Sequence, residues 1–286
     1  MDYGIATFMT DKSIRPDDLA RMVEERGFES LSFAEHTHIP ASRQTPFPGG
    51  GGLPEQYWRA YDPFVALTAA AMVTTRLKLW TGICLVIEHD PIVLAKQVAS
   101  LDTISNGRFM FGIGGGWNAE EMANHGTEFR QRWHVLRERM LAMKQIWTEE
   151  EAEFHGRYVN FDKIWSYPKP VQKPHPPIFM GGEGPTTFDR VIEFCDGWVP
   201  GGTVLDLDAK PNLGEKIATL RRRAEEAGRD PDSISVTVFG APQDKAWLAR
   251  AEQMGATRAL FTIGVPFAGR DEVEANLNRL AALVSK

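Results

Sequence analysis

The sequence predicts an α/β fold: a (β/α)8 TIM barrel with loop insertions at its C-terminal face. Three observations carry this. Eight short apolar runs alternate with eight longer amphipathic ones, the arithmetic of a barrel. The short runs are continuously apolar, as strands buried on both faces are. The length of 286 residues suits one barrel domain spanning 1–286.

The series starts with the strand YGIATFM (3–9) and the helix PDDLARMVEERG (16–27), which has Pro near its start and Gly after its end. The strand SLSFAE (30–35) leads into a Gly/Pro-rich excursion, 36–61, and then the helix DPFVALTAAAMVTT (62–75). LKLWTGICL (77–85) pairs with the helix PIVLAKQVASLDTIS (91–105), and RFMFGIG (108–114) runs through GGGWNAEE toward helical sequence. The long helix 129–147 repeats Trp133, Leu136, Met140, Met143 and Trp147 at spacings of 3 and 4, a face for the core or for a second subunit. Residues 148–176 pass through EFHGRYVNF, a small hairpin, and the stiff PKPVQKPHPP. PIFMGG (177–182) and the helix 186–195, GWVPGG (197–202) and the helix 212–228, ISVTVFG (234–240) and the helix 243–255, and RALFTIG (258–264) and the helix 270–285 complete eight units. An open doubly wound sheet is the rival. Its glycine fingerprint follows the first strand, whereas here the glycines follow the fourth.

Composition excludes several classes. No apolar window reaches the ~18 residues of a membrane helix. The N-terminus lacks a basic region and a cleavage site, so no signal peptide is expected. Cys84 and Cys195 are the only cysteines and lie in apolar runs, which points to a reducing cytoplasm. The net charge of −6 comes without a basic block, which disfavours nucleic acid. The expected partner is a small molecule.

Glycine is costly in ordered backbone, so FGIGGGW (111–117) and MGGEGPTT (180–187) call for a reason. The Rossmann pattern fails, because Trp117 stands where a glycine is needed. What remains is a pair of Gly-rich strand ends facing helix starts, places for a phosphate-bearing ligand. His36-Thr37-His38 raises metal hydrolysis. Hydrolases of that kind need further histidines and an acid at later strand ends, which here read MGGEGP, WVPGG and TIGVP, so no metal is expected. His36 is the first acid/base candidate, because imidazole titrates near ~6.5. Glu88 and His89 are the second.

EHTHIP, DPFVALTAAAMVTTRLKLWTGICLV, DPIVLAKQVASLDTISNGRFMFGIGGGWNAEEM, PKPVQKPHPPIFMGG and DGWVPGG together resemble the luciferase-like monooxygenase superfamily, and within it the oxidoreductases that use the deazaflavin coenzyme F-420. The resemblance spans about residues 3–202. It implies a cis peptide at Gly82–Ile83 beneath the ring, with Ile83 as an apolar backstop. It implies that Gly114, Gly115, Gly116, Gly181, Gly182 and Glu183 hold the ribityl chain and phosphate, and that Trp117 walls the pocket. Phe8 and Trp198 complete the implied cofactor contacts. The glycines would let backbone N–H groups approach the cofactor. His36 matches the histidine beside the substrate of the branch's sugar-phosphate dehydrogenases, and Glu35 the acid before it. Those enzymes carry a glutamate at the place of Trp117 and a tryptophan at that of Pro40, so their substrate does not carry over. Many relatives carry arginine at the place of His89.

The implied activity is hydride transfer at ring carbon C5 to or from a small apolar organic substrate. His36 would handle the proton, and residues 40–58, with Tyr57 and Trp58, would form a lid. The alternatives are an FMN-dependent monooxygenase on the same barrel and a non-catalytic flavin- or deazaflavin-binding barrel. The acidic tail of F-420 calls for a basic rim, with Arg43, Arg59, Lys163, Lys169 and Lys173 as candidates. The family also implies a homodimer.

Overall fold

The computed structural model describes residues 1–264 and 267–285. Val265 and Pro266 of the TIGVP strand end, and Lys286, lie outside the described residues. The elements are β1 (Asp2–Thr7), α1 (Pro16–Glu25), β2 (Ser30–Phe33), α2 (Pro63–Ala71), β3 (Lys78–Thr81), α3 (Pro91–Ile104), β4 (Phe109–Ile113), α4 (Ala119–Asn124), α5 (Arg132–Thr148), β5 (Ala152–His155), β6 (Asn160–Ile164), β7 (Ile178–Gly181), α6 (Thr187–Phe194), β8 (Gly197–Val199), α7 (Leu213–Glu226), β9 (Ser235–Phe239), α8 (Lys245–Gln253), β10 (Arg258–Thr262) and α9 (Arg270–Val284).

Eight of these strands close a parallel barrel in the order β1-β2-β3-β4-β7-β8-β9-β10. The fold is therefore a (β/α)8 TIM barrel. All eight expected strands and the eight helices are present, with ends that differ by a few residues. The antiparallel hairpin β5–β6 lies outside the barrel sheet. One further helix, α4, is inserted between β4 and α5.

Local chemistry explains the helix starts. Asp62-Pro63 and Asp90-Pro91 place a proline at the first helical position, and each aspartate accepts from backbone N–H groups of the first turn. Asn118 caps α4 by accepting from Glu120 and Glu121. Asn212 and Glu215 form a reciprocal capping box on α7.

The barrel interior is filled by Ala6, Trp80, Met110, Phe179, Val199 and Leu260. A larger apolar layer packs between strands and helices; it takes in Leu136, Met140, Met143 and Trp147 of α5. The interior is closed at its N-terminal end by Arg258. Its guanidinium lies 5.9 Å from the Trp80 ring and 5.7 Å from the Phe179 ring, and it donates to both oxygens of Glu29 at 2.9 and 2.8 Å. Lys78 adds a contact at 2.9 Å. Burial alone would push the Glu29 carboxyl up, but Arg258 and Lys78 outweigh it and hold the group at about 2.

Because the folded value lies below the ordinary 4.5, the stabilisation is present above the unfolded pKa and is lost as pH falls from 4.5 toward 2. Glu29→Gln should therefore cost about 3 kcal/mol at pH 7, since it also strands the buried Arg258. Denaturant titrations of variant and wild type should draw together as pH falls from 4.5 and converge only below about pH 2. A gap that persists in acid would show that shape, not charge, sets the effect.

Candidate active site

Two cavities open at the C-terminal mouth of the barrel. One, of about 560 Å³, is walled by Ile83, Trp117, Trp133, Thr187, Val199 and a series of glycines. The other, of about 540 Å³, is walled by Thr7, Phe8, Gln56, Thr262 and Glu272 among others. Gly82 and Phe239 line both, so the cavities adjoin over the crease where β3 ends. The peptide Gly82–Ile83 is cis.

The glycines divide into two sets with different reasons. A Cβ on Gly112 would lie 2.0 Å from the backbone oxygen of Thr81. One on Gly114 would lie 1.9 Å from Ile83 Cδ1, and one on Gly115 2.6 Å from the Trp133 ring. Gly116 has φ 62° and faces Met122. These positions are bare so that the protein's own side chains fit. Gly182 (φ 114°), Gly201 and Gly202 (φ 54°) meet nothing within 4 Å of a built Cβ. The open space for a ligand therefore lies along Gly182, Gly201 and Gly202. Gly114, Gly115 and Gly116 line the first cavity as well, so the protein's own packing is a reason for these glycines beside the one expected from the resemblance.

His36, just beyond β2, is 7% exposed. Its Nδ1 lies 2.8 and 2.9 Å from the two carboxylate oxygens of Glu121, a residue of α4 that is 1% exposed. The ring is enclosed by Tyr57 (centroids 5.1 Å apart) and Trp117 (5.8 Å). Phe8 and Phe47 pack on Tyr57 at 4.8 and 5.1 Å. The excursion after β2 is tied to α4: Thr37 Oγ1 lies 2.8 Å from His125, His38 2.9 Å from Asn124, and the Thr45 N–H donates to Glu120 at 3.1 Å.

The other acid/base candidates sit apart from the cavities. Glu35 accepts from the Leu85 N–H at 2.5 Å and pairs with His89 Nε2 at 2.8 Å. Burial alone would push the Glu35 carboxyl up and the His89 imidazole down. The hydrogen bond between them reverses both, leaving Glu35 lowered and His89 raised. They form an internal ion pair and line neither cavity. Glu88 is also buried away from both. Its carboxyl is pushed up to about 9 by burial and by the charges of Glu121 and Glu35, against an opposing effect of Arg139.

Phe8, Gly82, Ile83, Gly114–Gly116, Trp117, Gly181, Gly182 and Glu183 all line one cavity or the other. Trp198 lines neither; it is fully buried and donates from Nε1 to the Gly182 oxygen at 2.8 Å, holding that turn from behind. The expected basic rim does not form. Arg59 pairs with Asp11 and Glu55, Lys163 with Glu151, and Lys169 and Lys173 with backbone oxygens. Only Arg43 approaches the site, 5.9 Å from Trp117. Instead Arg190 of α6 stacks at 3.9 Å on Trp133, with Arg132 5.1 Å from the same ring. Sequence reasoning missed Glu121, Trp133, Thr187, Arg190 and Phe239. A signal was present for one: Asn118 three residues before Glu121 is the pattern of a capped helix start.

The luciferase-like monooxygenase family model matches residues 15–282. The chain belongs to this family, whose members are oxidoreductases or monooxygenases. An uncharacterized protein of Mycobacterium tuberculosis (strain H37Rv) is 41% identical over 99% of this chain and 98% of its own length. An F-420-dependent hydroxymycolic acid dehydrogenase of the same strain is 26% identical, covering 88% of this chain and 66% of the relative. An FMNH2-dependent dimethylsulfone monooxygenase of Pseudomonas putida is 28% identical, covering 82% and 59%. The crystal structure of the monooxygenase RslO1 from Streptomyces bottropensis shares the fold, with a TM-score of 0.80 at 17% identity over 99% of this chain and 98% of that one. Among the described residues no helix is long and apolar enough to cross a membrane.

Gly112→Ala should cost about 1–3 kcal/mol in a denaturation curve, because the strand backbone itself must shift. Gly201→Ala, with open space around it, should leave the curve unchanged. Equal losses would refute the division of the glycines.

Proposed function

We propose that this luciferase-like protein is a coenzyme F-420-dependent oxidoreductase, in which His36 exchanges a proton with a small apolar organic substrate. The observation that carries the reading is His36 itself. It is a buried imidazole that lines neither cavity itself but packs against Trp117, a wall of one of them, and is held at Nδ1 by a buried carboxylate and enclosed by aromatic rings.

The cradle fits such a cofactor. The open glycines 182, 201 and 202 admit a chain close to the backbone. The start of α6, with Thr187 on the cavity wall, offers a helix N-terminus to a phosphate. Arg190 lies against Trp133 without a hydrogen-bonded carboxylate among the described residues, so it is available to an acidic tail. Glu183, an acid in the wall of the glycine-lined cavity, is paired with Lys216 at 2.5 Å. When bound, reduced F-420 supplies a two-electron hydride.

The chain's own residues do the rest. Glu121 fixes the imidazole so that Nε2 serves the substrate. Tyr57, Phe47 and Trp117 exclude water and favour an apolar substrate. Ile83, on the wall of the cavity, would support the cofactor's flat face. The FMN-dependent reading is supported by the Pseudomonas relative; the arginines stacked on Trp133, itself a wall of the cavity, favour the coenzyme with the longer anionic tail.

A second copy of the chain is the proposed partner. Val65 and Met72 are exposed on one face of α2, and Val93 and Ile104 on one face of α3. Spacings of seven and eleven place each pair on a single helix face. Trp165 and Tyr167 are exposed as well, and Lys96 of α3 donates to the Tyr167 oxygen. Met72→Lys should shift the mass measured by light scattering from two chains to one. A wild type that is monomeric at all concentrations would exclude the dimer.

Purified protein titrated with F-420 and with FMN should quench F-420 fluorescence at far lower concentration; the reverse order would support the monooxygenase. Gly201→Ala should weaken the preferred cofactor. His36→Ala should lower turnover by about 100-fold or more while sparing cofactor binding. Unchanged turnover would remove His36 from the mechanism.

A further inference from the structure

Glu88 is a buried carboxyl that the proposed mechanism leaves unused. Neither of its oxygens has a hydrogen-bond partner among the described residues, and the residue is 8% exposed. Leaving such a group unpaired in a protein interior is costly, so its surroundings call for an account. Five titratable groups face it, one of them the thiol of Cys84, pushed up by burial with help from the Glu88 charge. Glu121 of α4, Glu35 beyond β2 and Arg139 of α5 act on its charge. His125, at the end of α4, places Nε2 3.7 Å from Glu88 Oε2.

The placement is systematic. Glu121 and His125 are four residues apart, so they share one face of α4. Glu121 holds His36, and His125 lies 2.8 Å from Thr37, the next residue along the chain. Thr37 contacts His38 at 2.9 Å, and His38 contacts Asn124 at 2.9 Å. Thr37 is exposed, while His38 and His125 are partly exposed. Thr37 thus connects solvent to His125, whose Nε2 stands 3.7 Å from Glu88, behind the buried His36–Glu121 pair.

We propose that Glu88 is the proton store of this site, filled from solvent through His125 and emptied toward the His36–Glu121 pair. The inference rests on the reading of His36 as the proton-handling group. As His36 gives its Nε2 proton to the substrate, the O–H bond of Glu88 breaks and an O–H bond forms on Glu121, the carboxylate that holds His36 Nδ1, so that the pair regains the proton it lost. The carboxylate left on Glu88 takes a proton from the His125 imidazolium, which takes one from solvent. One proton enters for each one consumed, and no electron travels this way. In the reverse direction of catalysis each step runs backward. Burial and the neighbouring carboxylates keep the store filled through neutral pH. Burial holds the His125 imidazole down, so this residue passes a proton on instead of keeping it. Glu88 is a positioning and relay residue, since it touches neither cavity.

The test combines infrared spectroscopy of the cofactor-free protein with steady-state kinetics. Wild type at pH 7 should show the carbonyl stretch of a protonated buried carboxyl, absent in Glu88→Gln and lost in wild type as pH rises past about 9. Glu88→Gln should bind F-420 as wild type does, turn over roughly tenfold more slowly, and lose the alkaline limb of the wild-type kcat profile. His125→Gln, a change near the surface, should also slow turnover and be rescued by added imidazole. Absence of the infrared band, or wild-type kcat and pH profile in both variants, would overturn the relay. The band reads Glu88 directly, so its presence in a protein that turns over no substrate would sink the oxidoreductase reading instead.

Discussion

The side chain of Ile83 sets the terms for the barrel mouth. It fills the crease where β3, β4 and β7 end, with Cδ1 occupying the place of a Cβ on Gly114 and Cγ2 3.2 Å from that of Gly181. Two neighbouring strands must therefore end in glycine. With the crease filled by an apolar side chain, the mouth has a floor instead of a hole, and the two cavities open above it. Trp133 and Met122 impose the same demand on Gly115 and Gly116. The density of glycine in FGIGGGW thus records tight protein packing, whereas Gly182, Gly201 and Gly202 face open space.

Above that floor the electrostatics obey a simple count. Three buried carboxylates, Glu35, Glu88 and Glu121, lie close to two histidines, His36 and His89. Each histidine takes one carboxylate. Glu35 and His89 stabilise each other's charged forms, and Glu121 is aligned on His36. The third acid, Glu88, has no hydrogen-bonded partner among the described residues and only His125, at 3.7 Å, beside it; it meets two negative charges in a low-dielectric interior and keeps its proton. A protonated acid behind a histidine–carboxylate pair follows from having one acid too many in one small volume.

The barrel was legible in the sequence because parallel strands buried on both faces must be continuously apolar, and because Asp-Pro and Asn caps mark helix starts locally. The cis bond at Gly82–Ile83 was reached by resemblance alone. The site was legible only in part. His36 and Trp117 announce themselves beside strand ends, but Glu121 becomes a partner of His36 only when α4 folds back toward β2, across 85 positions. Glu35, Glu88 and His89 are chemically alike on paper, and what separates them is which one an interior hydrogen bond satisfies. The basic rim failed for the same reason: Lys163 and Lys169 lie in suggestive loops yet point to Glu151 and to the backbone, while Arg190 is hidden in an ordinary amphipathic helix.

The helix that escaped the regular repeat does the most to organise the site. α4 has only six residues, too few to be stable on propensity alone, and tertiary contacts fix it. Asn118 caps it, Met122 packs under Gly116, and Thr45, Thr37 and His38 bind along it. Each contact to the excursion after β2 also positions that excursion, so Phe47 and Tyr57 come to rest on Trp117 and His36. Enclosure of His36 is therefore coupled to the alignment of Glu121. A substrate that reaches the imidazole must take the place of aromatic surface, which a small apolar molecule does at little desolvation cost and a strongly hydrated sugar phosphate does not. The aromatic enclosure of His36 thus supports the proposed reading of a substrate recognised by shape and apolar contact.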